Sequence, residues 1–252
     1  MHEVSAKRVP HIIFSYWIIK IASTTLGETG ADMFSMTFNL GYGKTILIFL
    51  GIFLILLGTK LLSGKYGPLS YWSLFTASAI LGTGVSDFID RTLQLGYADG
   101  SLVLVISLLI ILALWYTREK SLSVNNISTA GAESFYWSAF LIANTLGTAA
   151  GDYLSDGLGM GFMESAIIIA GLLAITALAH LFTRVSGIFL FWIAFVLTRP
   201  FGATFGDLLT KPVNHGGLNL GTIGASIFFT MIMAVALVRE AKVEKINNCI
   251  SG

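Results

Sequence analysis

The sequence predicts an all-α integral membrane protein of eight transmembrane helices, built from four parallel two-helix repeats with pseudo-fourfold or nested twofold symmetry. Three observations carry that prediction. Charge is scarce: 12% of the 252 residues are Asp, Glu, Lys or Arg and 55% are hydrophobic, against ~25% charged in an ordinary soluble domain. The apolar residues come in long blocks, not in the narrow stripes of soluble helices. Four aromatic-Trp pairs recur along the chain at fixed spacings to Gly and Asp. This composition excludes a soluble enzyme, a secreted disulfide scaffold and a disordered chain. The formal net charge of +1 gives no basic field for nucleic acid. The single Cys249 supports neither an intrachain disulfide nor a paired-thiol site.

Charge-poor stretches mark eight candidate spans, roughly 11–34, 45–62, 67–90, 101–117, 134–156, 165–183, 186–210 and 218–238. A helix needs ~20 residues to cross a ~30 Å hydrocarbon core, and stretches 66–86 and 165–183 carry no charged residue. The second span is shorter, but Leu61 and Leu62 extend it past Lys60, which can snorkel to the interface. Residues 1–10 are polar and no cleavage site follows, so the first span reads as an uncleaved anchor. Lys7, Arg8, Lys60, Lys65, Arg118, Lys120, Arg184, Arg239, Lys242 and Lys245 fall on one side and Lys44, Arg91 and Lys211 on the other. The positive-inside rule then puts both termini in the cytoplasm, with a bacterial inner membrane as the expected location. The Asn126-Ile127-Ser128 sequon would lie in a cytoplasmic loop and carry no glycan. Residues 1–238 read as one membrane domain, with repeats near 12–63, 67–118, 132–183 and 187–238. A short polar tail follows at 239–252.

The repeat has fixed arithmetic. Tyr16-Trp17, Tyr71-Trp72, Tyr136-Trp137 and Phe191-Trp192 each open a unit, and the Trp residues are spaced 55, 65 and 55 apart, so the two halves superimpose with a shift of 120. Ten residues after each Trp comes a Gly (Gly27, Gly82, Gly147, Gly202). A small residue follows at fourteen (Ala31, Ser86, Gly151, Gly206) and an Asp at fifteen (Asp32, Asp87, Asp152, Asp207). Nine residues beyond each Asp stands another Gly: Gly41, Gly96, Gly161 and Gly216. Two spans per repeat make the repeats parallel, related by an axis along the membrane normal. The plain apolar even spans suit lipid, and the odd spans, which carry Gly, Thr, Asn and Asp, suit the interior.

The aromatic-Trp pairs and the segments at 26–32 (LGETGAD), 81–87 (LGTGVSD), 146–152 (LGTAAGD) and 201–207 (FGATFGD) resemble a family of bacterial membrane proteins. Its members have four tandem two-span repeats with a characteristic Trp, catalogued as a repeat domain of unknown function. The resemblance covers roughly residues 12–238. It implies the fold and the membrane location, and brings no activity. The fourth repeat departs from the pattern at Arg199-Pro200 and at His215-Gly216-Gly217.

The small residues, literally GxxxG at Gly147/Gly151 and Gly202/Gly206, are expected to let the odd helices approach closely, Gly27 and Gly82 serving likewise. Trp17, Trp72, Trp137 and Trp192 are expected as interfacial anchors. Fifteen residues at ~1.5 Å each place the four Asp about 22 Å above their Trp, in one layer. The odd spans hold Glu28 and the four Asp against Lys20 and Arg199. Lys20 is expected to snorkel, and Arg199 lies four repeat-equivalent positions from Glu28, within reach of an ion pair.

A carboxylate ring suits cations, and oxygen ligands favour hard ions. The leading expectation is therefore a transporter or channel for a small cation of the Mn²⁺ or Mg²⁺ type, with Asp32, Asp87, Asp152 and Asp207 as metal ligands. Glu28 and Arg199 would gate the site or tune its charge. The alternatives are a non-transporting membrane scaffold and a proton-coupled exporter of an organic cation, the latter requiring an aromatic-lined cavity beside the Asp layer. No enzyme motif is present, and no cofactor is expected beyond a bound divalent cation or coupling protons. The expected partners are the lipid bilayer and a small cation, without nucleic acid; a homo-oligomer is left open.

Overall fold

The computed structural model describes residues 10, 14–122, 127 and 129–250, without the side chains of 188 and 243–250. Lys7, Arg8, the Asn126 sequon and the side chains of Lys245 and Cys249 therefore lie outside the described residues. Eight α-helices and no strand occur among those described: α1 (Phe14–Asp32), α2 (Gly41–Ser63), α3 (Pro68–Asp87), α4 (Tyr97–Glu119), α5 (Ala130–Asp152), α6 (Phe162–Phe182), α7 (Gly187–Thr210) and α8 (Thr222–Ile250). Local chemistry sets several ends. Pro68 opens α3 at a position where its missing N–H costs nothing. Thr129 caps α5 by accepting a 3.0 Å hydrogen bond from the Ala132 N–H. Gly64 closes α2 in the left-handed conformation. Because α8 runs to Ile250, the polar segment after residue 238 continues the last helix.

The odd helices touch in a closed cycle, α1 to α3, α3 to α5, α5 to α7 and α7 back to α1. Each even helix packs on the odd helix of the following repeat: α2 on α3, α4 on α5, α6 on α7, and α8 on α1. The packed unit is thus out of phase with the sequence repeat, and the last helix closes the ring on the first. Among the described residues, five helices are long and apolar enough to cross a bilayer: all four even helices and most of α7. Only 17–22% of the windows in α2, α4, α6 and α8 are buried, against 50% in α7, which puts the even helices outside. α1, α3 and α5 fall short on hydropathy because they are enclosed by protein. Residues 22–32 of α1, for instance, are buried without a break, so their Ser, Thr and Gly side chains meet other helices.

Glycines set the crossings. A Cβ on Gly27 would come within 2.6 Å of Ala79 Cβ, one on Gly82 within 3.0 Å of Asn144 Cβ, and one on Gly202 within 2.6 Å of Thr24 Oγ1. A Cβ on Gly147 would overlap the stem of Arg199. Each of these glycines stands ten residues after its Trp, and each contact lies seven residues after the Trp of the next repeat in the cycle.

The connections after α1, α3 and α5 begin alike. Directly after its Asp, the chain widens into a π-helical turn: Met33–Thr37, Phe88–Thr92 and Tyr153–Gly157. Two positive-φ residues then lead into the next helix: Asn39 and Gly41, Gln94 and Gly96, Gly159 and Gly161. In the fourth repeat the matching pair is Asn219 and Gly221. The structural counterpart of Gly41 is therefore Gly221 and not Gly216, which ends a 3₁₀ turn at Val213–His215 that the other repeats lack.

Candidate functional site

Side chains four residues apart share a helix face, and counting from the Trp of each repeat gives successive layers along the inner ring. Three residues after the Trp stand Lys20, Phe75, Phe140 and Phe195. Phe75 and Phe140 have ring centroids 4.4 Å apart, and Phe140 and Phe195 5.2 Å. The Lys20 ammonium sits 3.3 Å from the Phe195 ring centroid and donates to Phe195 O at 2.6 Å and Thr198 Oγ1 at 2.7 Å. Lys20 is thus buried among aromatic rings and does not snorkel. Lys60 does not snorkel either: it is fully buried, lies 3.4 Å from Glu133 and donates to Lys65 O at 2.7 Å.

The Trp residues are also more enclosed than interfacial anchors would be. Trp72 and Trp137 have no exposed surface, and Trp72 Nε1 donates to Glu240 Oε2 at 3.1 Å. Only Trp17 and Trp192 are partly exposed. The aromatic residue preceding one Trp packs on the Trp of a neighbouring repeat: Tyr16 on Trp72 at 5.4 Å, Tyr71 on Trp137 at 5.2 Å and Phe191 on Trp17 at 5.8 Å. Anchoring by Trp72 and Trp137 is therefore replaced by packing between helices.

Seven residues after the Trp come Thr24, Ala79, Asn144 and Arg199, and at eleven Glu28, Thr83, Thr148 and Ala203. Arg199 reaches from α7 to the other three inner helices. Its guanidinium donates to Thr24 O at 3.0 Å, Ala79 O at 3.2 Å, Thr148 Oγ1 at 2.7 Å and Thr83 Oγ1, and it lies 3.6 Å from Glu28 Oε2. Thr83 in turn donates to Glu28 Oε2 at 3.1 Å. Gly147 makes room for the Arg199 stem, so one small residue and one cation fit together.

The four Asp residues follow, all buried. One carboxylate oxygen from each of Glu28, Asp32 and Asp207 lies within 4.8 Å of the other two. Lys211, just beyond α7, puts its ammonium 2.6 Å from Asp32 and 3.2 Å from Asp207. Burial opposes the Lys211 charge, but the Asp207 and Asp32 carboxylates outweigh it and hold the amine protonated above the ordinary lysine range. At the position 120 residues earlier, Arg91 Nε lies 3.3 Å from Asp87. Asp87 Oδ2 and Asp152 Oδ2 have no hydrogen-bond partner among the described residues. The structure thus groups Asp32 and Asp207 with Glu28, leaves Asp87 with Arg91, and shows no ion pair at Asp152 among the described residues. The four Asp share a layer but differ in their partners.

The partners Arg91 and Lys211 escape a reading that assigns loop cations to the outer surface. A signal for them exists: both stand four residues after an Asp and 120 residues apart. A cavity of about 260 Å³ lies among Tyr136, Phe140, Trp192 and Phe195, at the Trp end of the ring.

The closed inner ring, its repeated layers and its apolar outer helices define a repeat-built helical protein of membrane type. The chain belongs to the family described as Repeat of Unknown Function (DUF347), which matches residues 15–66, 70–121, 135–186 and 190–245, each segment opening two residues before its Trp. No curated protein and no solved structure matches it.

Proposed function

We propose that the chain is a multi-pass carrier for a small cation in the bacterial inner membrane, with all eight helices crossing, both termini cytoplasmic, and no catalytic step. The observation that carries this reading is the convergence of Glu28, Asp32 and Asp207 oxygens within 4.8 Å at a buried position. Ionisable groups at membrane depth are expensive and mark ion pathways. α1, α3 and α5 need not be apolar to cross, since their polar groups face other helices.

Charge selects the cargo. Three carboxylates face two cations of the chain, Arg199 and Lys211, and a monovalent cation that takes the place of Lys211 leaves the charge of the cluster unchanged, as Mn²⁺ or Mg²⁺ would not. The scaffold reading is favoured by one observation, the pairing of Asp32, Asp87 and Asp207 with cations of the chain itself.

Uptake into proteoliposomes separates the two. Labelled methylammonium, Rb⁺ and Mn²⁺ are offered to the wild type and to Asp32→Asn and Asp207→Asn. Carrier function predicts monovalent uptake above empty vesicles and about tenfold slower uptake in both variants, equivalent to ~1.4 kcal/mol in the barrier. No uptake of any cation, together with variants that lose only thermal stability, would establish the scaffold instead.

A further inference from the structure

The acidic cluster already holds a cation. Lys211 approaches from beyond the end of α7, its ammonium bonded to Asp32 and 3.2 Å from Asp207, and its side chain keeps 19% of its surface exposed while those of Asp32 and Asp207 keep 2–3%. It stands between the carboxylates and the outside of the protein. Two further buried carboxylate oxygens of the same layer, Asp87 Oδ2 and Asp152 Oδ2, have no hydrogen-bond partner among the described residues. The layer therefore retains acceptor capacity beyond what Lys211 uses.

The group already bound points to the class of ligand. An ammonium donating along tetrahedral directions at ~2.8 Å places its acceptors about 4.6 Å apart. A Mg²⁺ ion with oxygens at ~2.1 Å draws neighbouring ligands to about 3 Å. The oxygens of Glu28, Asp32 and Asp207 lie within 4.8 Å of one another, a bound that accommodates ammonium acceptors, and the group seated between Asp32 and Asp207 is itself a primary ammonium.

We infer that Glu28, Asp32 and Asp207 form a site for a primary alkylammonium ion, and that Lys211 is its tethered occupant, displaced when an external amine enters. This rests on the carrier reading and names its substrate class. Displacement exchanges one ammonium for another, so the charge of the site is conserved. Lys211 leaves toward the exposed end of its own side chain, and Arg199 continues to compensate Glu28 from below.

The test reads binding, so it is independent of whether flux is seen. Full-length protein in detergent, wild type and Lys211→Ala, is unfolded thermally in ethylammonium chloride, in NaCl of equal ionic strength and in MnCl₂. Ligand that binds only the folded state raises Tm with its concentration. Ethylammonium at millimolar levels should restore at least half of the Tm lost in Lys211→Ala, NaCl should not, and adding Asp32→Asn to that variant should abolish the rescue. A shift no larger than that in NaCl, or a larger shift with MnCl₂ at equal concentration, overturns the inference. If Lys211→Ala does not fold, wild-type Lys211 is labelled with an amine-acylating reagent and read by mass spectrometry as a ratio to exposed Lys44, which cancels the reagent that ethylammonium itself consumes. Ethylammonium should free Lys211 and raise that ratio; an unchanged ratio overturns the inference. Absence of proteoliposome flux alongside a positive rescue would sink the carrier reading and leave the site standing.

Discussion

The two ends of the inner ring solve opposite problems. At the Trp end the repeats, Lys20 aside, contribute the same aromatic pieces, and these interlock: Tyr71 and Tyr136 share a 2.5 Å hydrogen bond and Phe75 packs edge-on against Phe140. At the Asp end the repeats contribute the same charge, and identical charges repel. That end closes only through residues that differ between repeats, namely Arg199, Lys211 and Arg91 against Glu28 and the Asp layer. Repetition is sufficient for packing and insufficient for electrostatics, so the chemistry of this fold resides where its four copies disagree.

The largest expected effect tests whether the inner crossings are as tight as the ring requires. Gly147→Leu drives a side chain into the stem of Arg199 and should prevent recovery of folded protein. The same change at Gly51 of α2, where nothing lies within 4 Å, should alter stability by no more than about 0.5 kcal/mol. Equal tolerance at both sites would break the distinction between inner and outer helices.

Next comes the buried pair. Arg199→Met leaves Glu28 uncompensated and should cost roughly 3–5 kcal/mol, much of it regained when Glu28→Gln is added, because removing both charges abolishes the desolvation problem. A double variant as unstable as the single would show that Arg199 acts through its hydrogen bonds to α1, α3 and α5. Lys211→Met should cost less, about 2 kcal/mol for the lost charge-assisted bonds, since this lysine is partly exposed. Smallest is Trp72→Phe at the aromatic end, which forfeits the bond to Glu240 and should cost about 1 kcal/mol. Thermal unfolding in one detergent orders all four.

The legible and illegible parts of the molecule divide along the same line. The Trp spacing, the outer position of the even helices and the tight approach at Gly27, Gly82 and Gly202 follow from composition and periodicity, because lipid and helix contact select residue types directly. Two things are not written in local pattern. The even helices pack on the next repeat, a choice set by three-dimensional closure that brings α8 onto α1. The charges of Lys20 and Lys60 turn inward because aromatic rings, backbone carbonyls and Glu133 wait for them there, a tertiary fact that overrides the tendency of long cations to reach for water. The four Asp, equivalent in the repeat, have different partners for a similar reason. Equivalence in sequence does not extend to the residue four positions on, which is Met36, Arg91, Asp156 or Lys211.

The most direct measurement is amine uptake into proteoliposomes by Asp32→Asn and Asp87→Asn side by side. These residues are equivalent in the repeat, yet only the first shares the cluster with Glu28 and Asp207. Asp32→Asn should slow uptake about tenfold, while Asp87→Asn, whose carboxylate serves Arg91, should retain most of it. Equal loss in both, or wild-type uptake in both, would contradict the assignment of the site to the α1–α7 side of the ring.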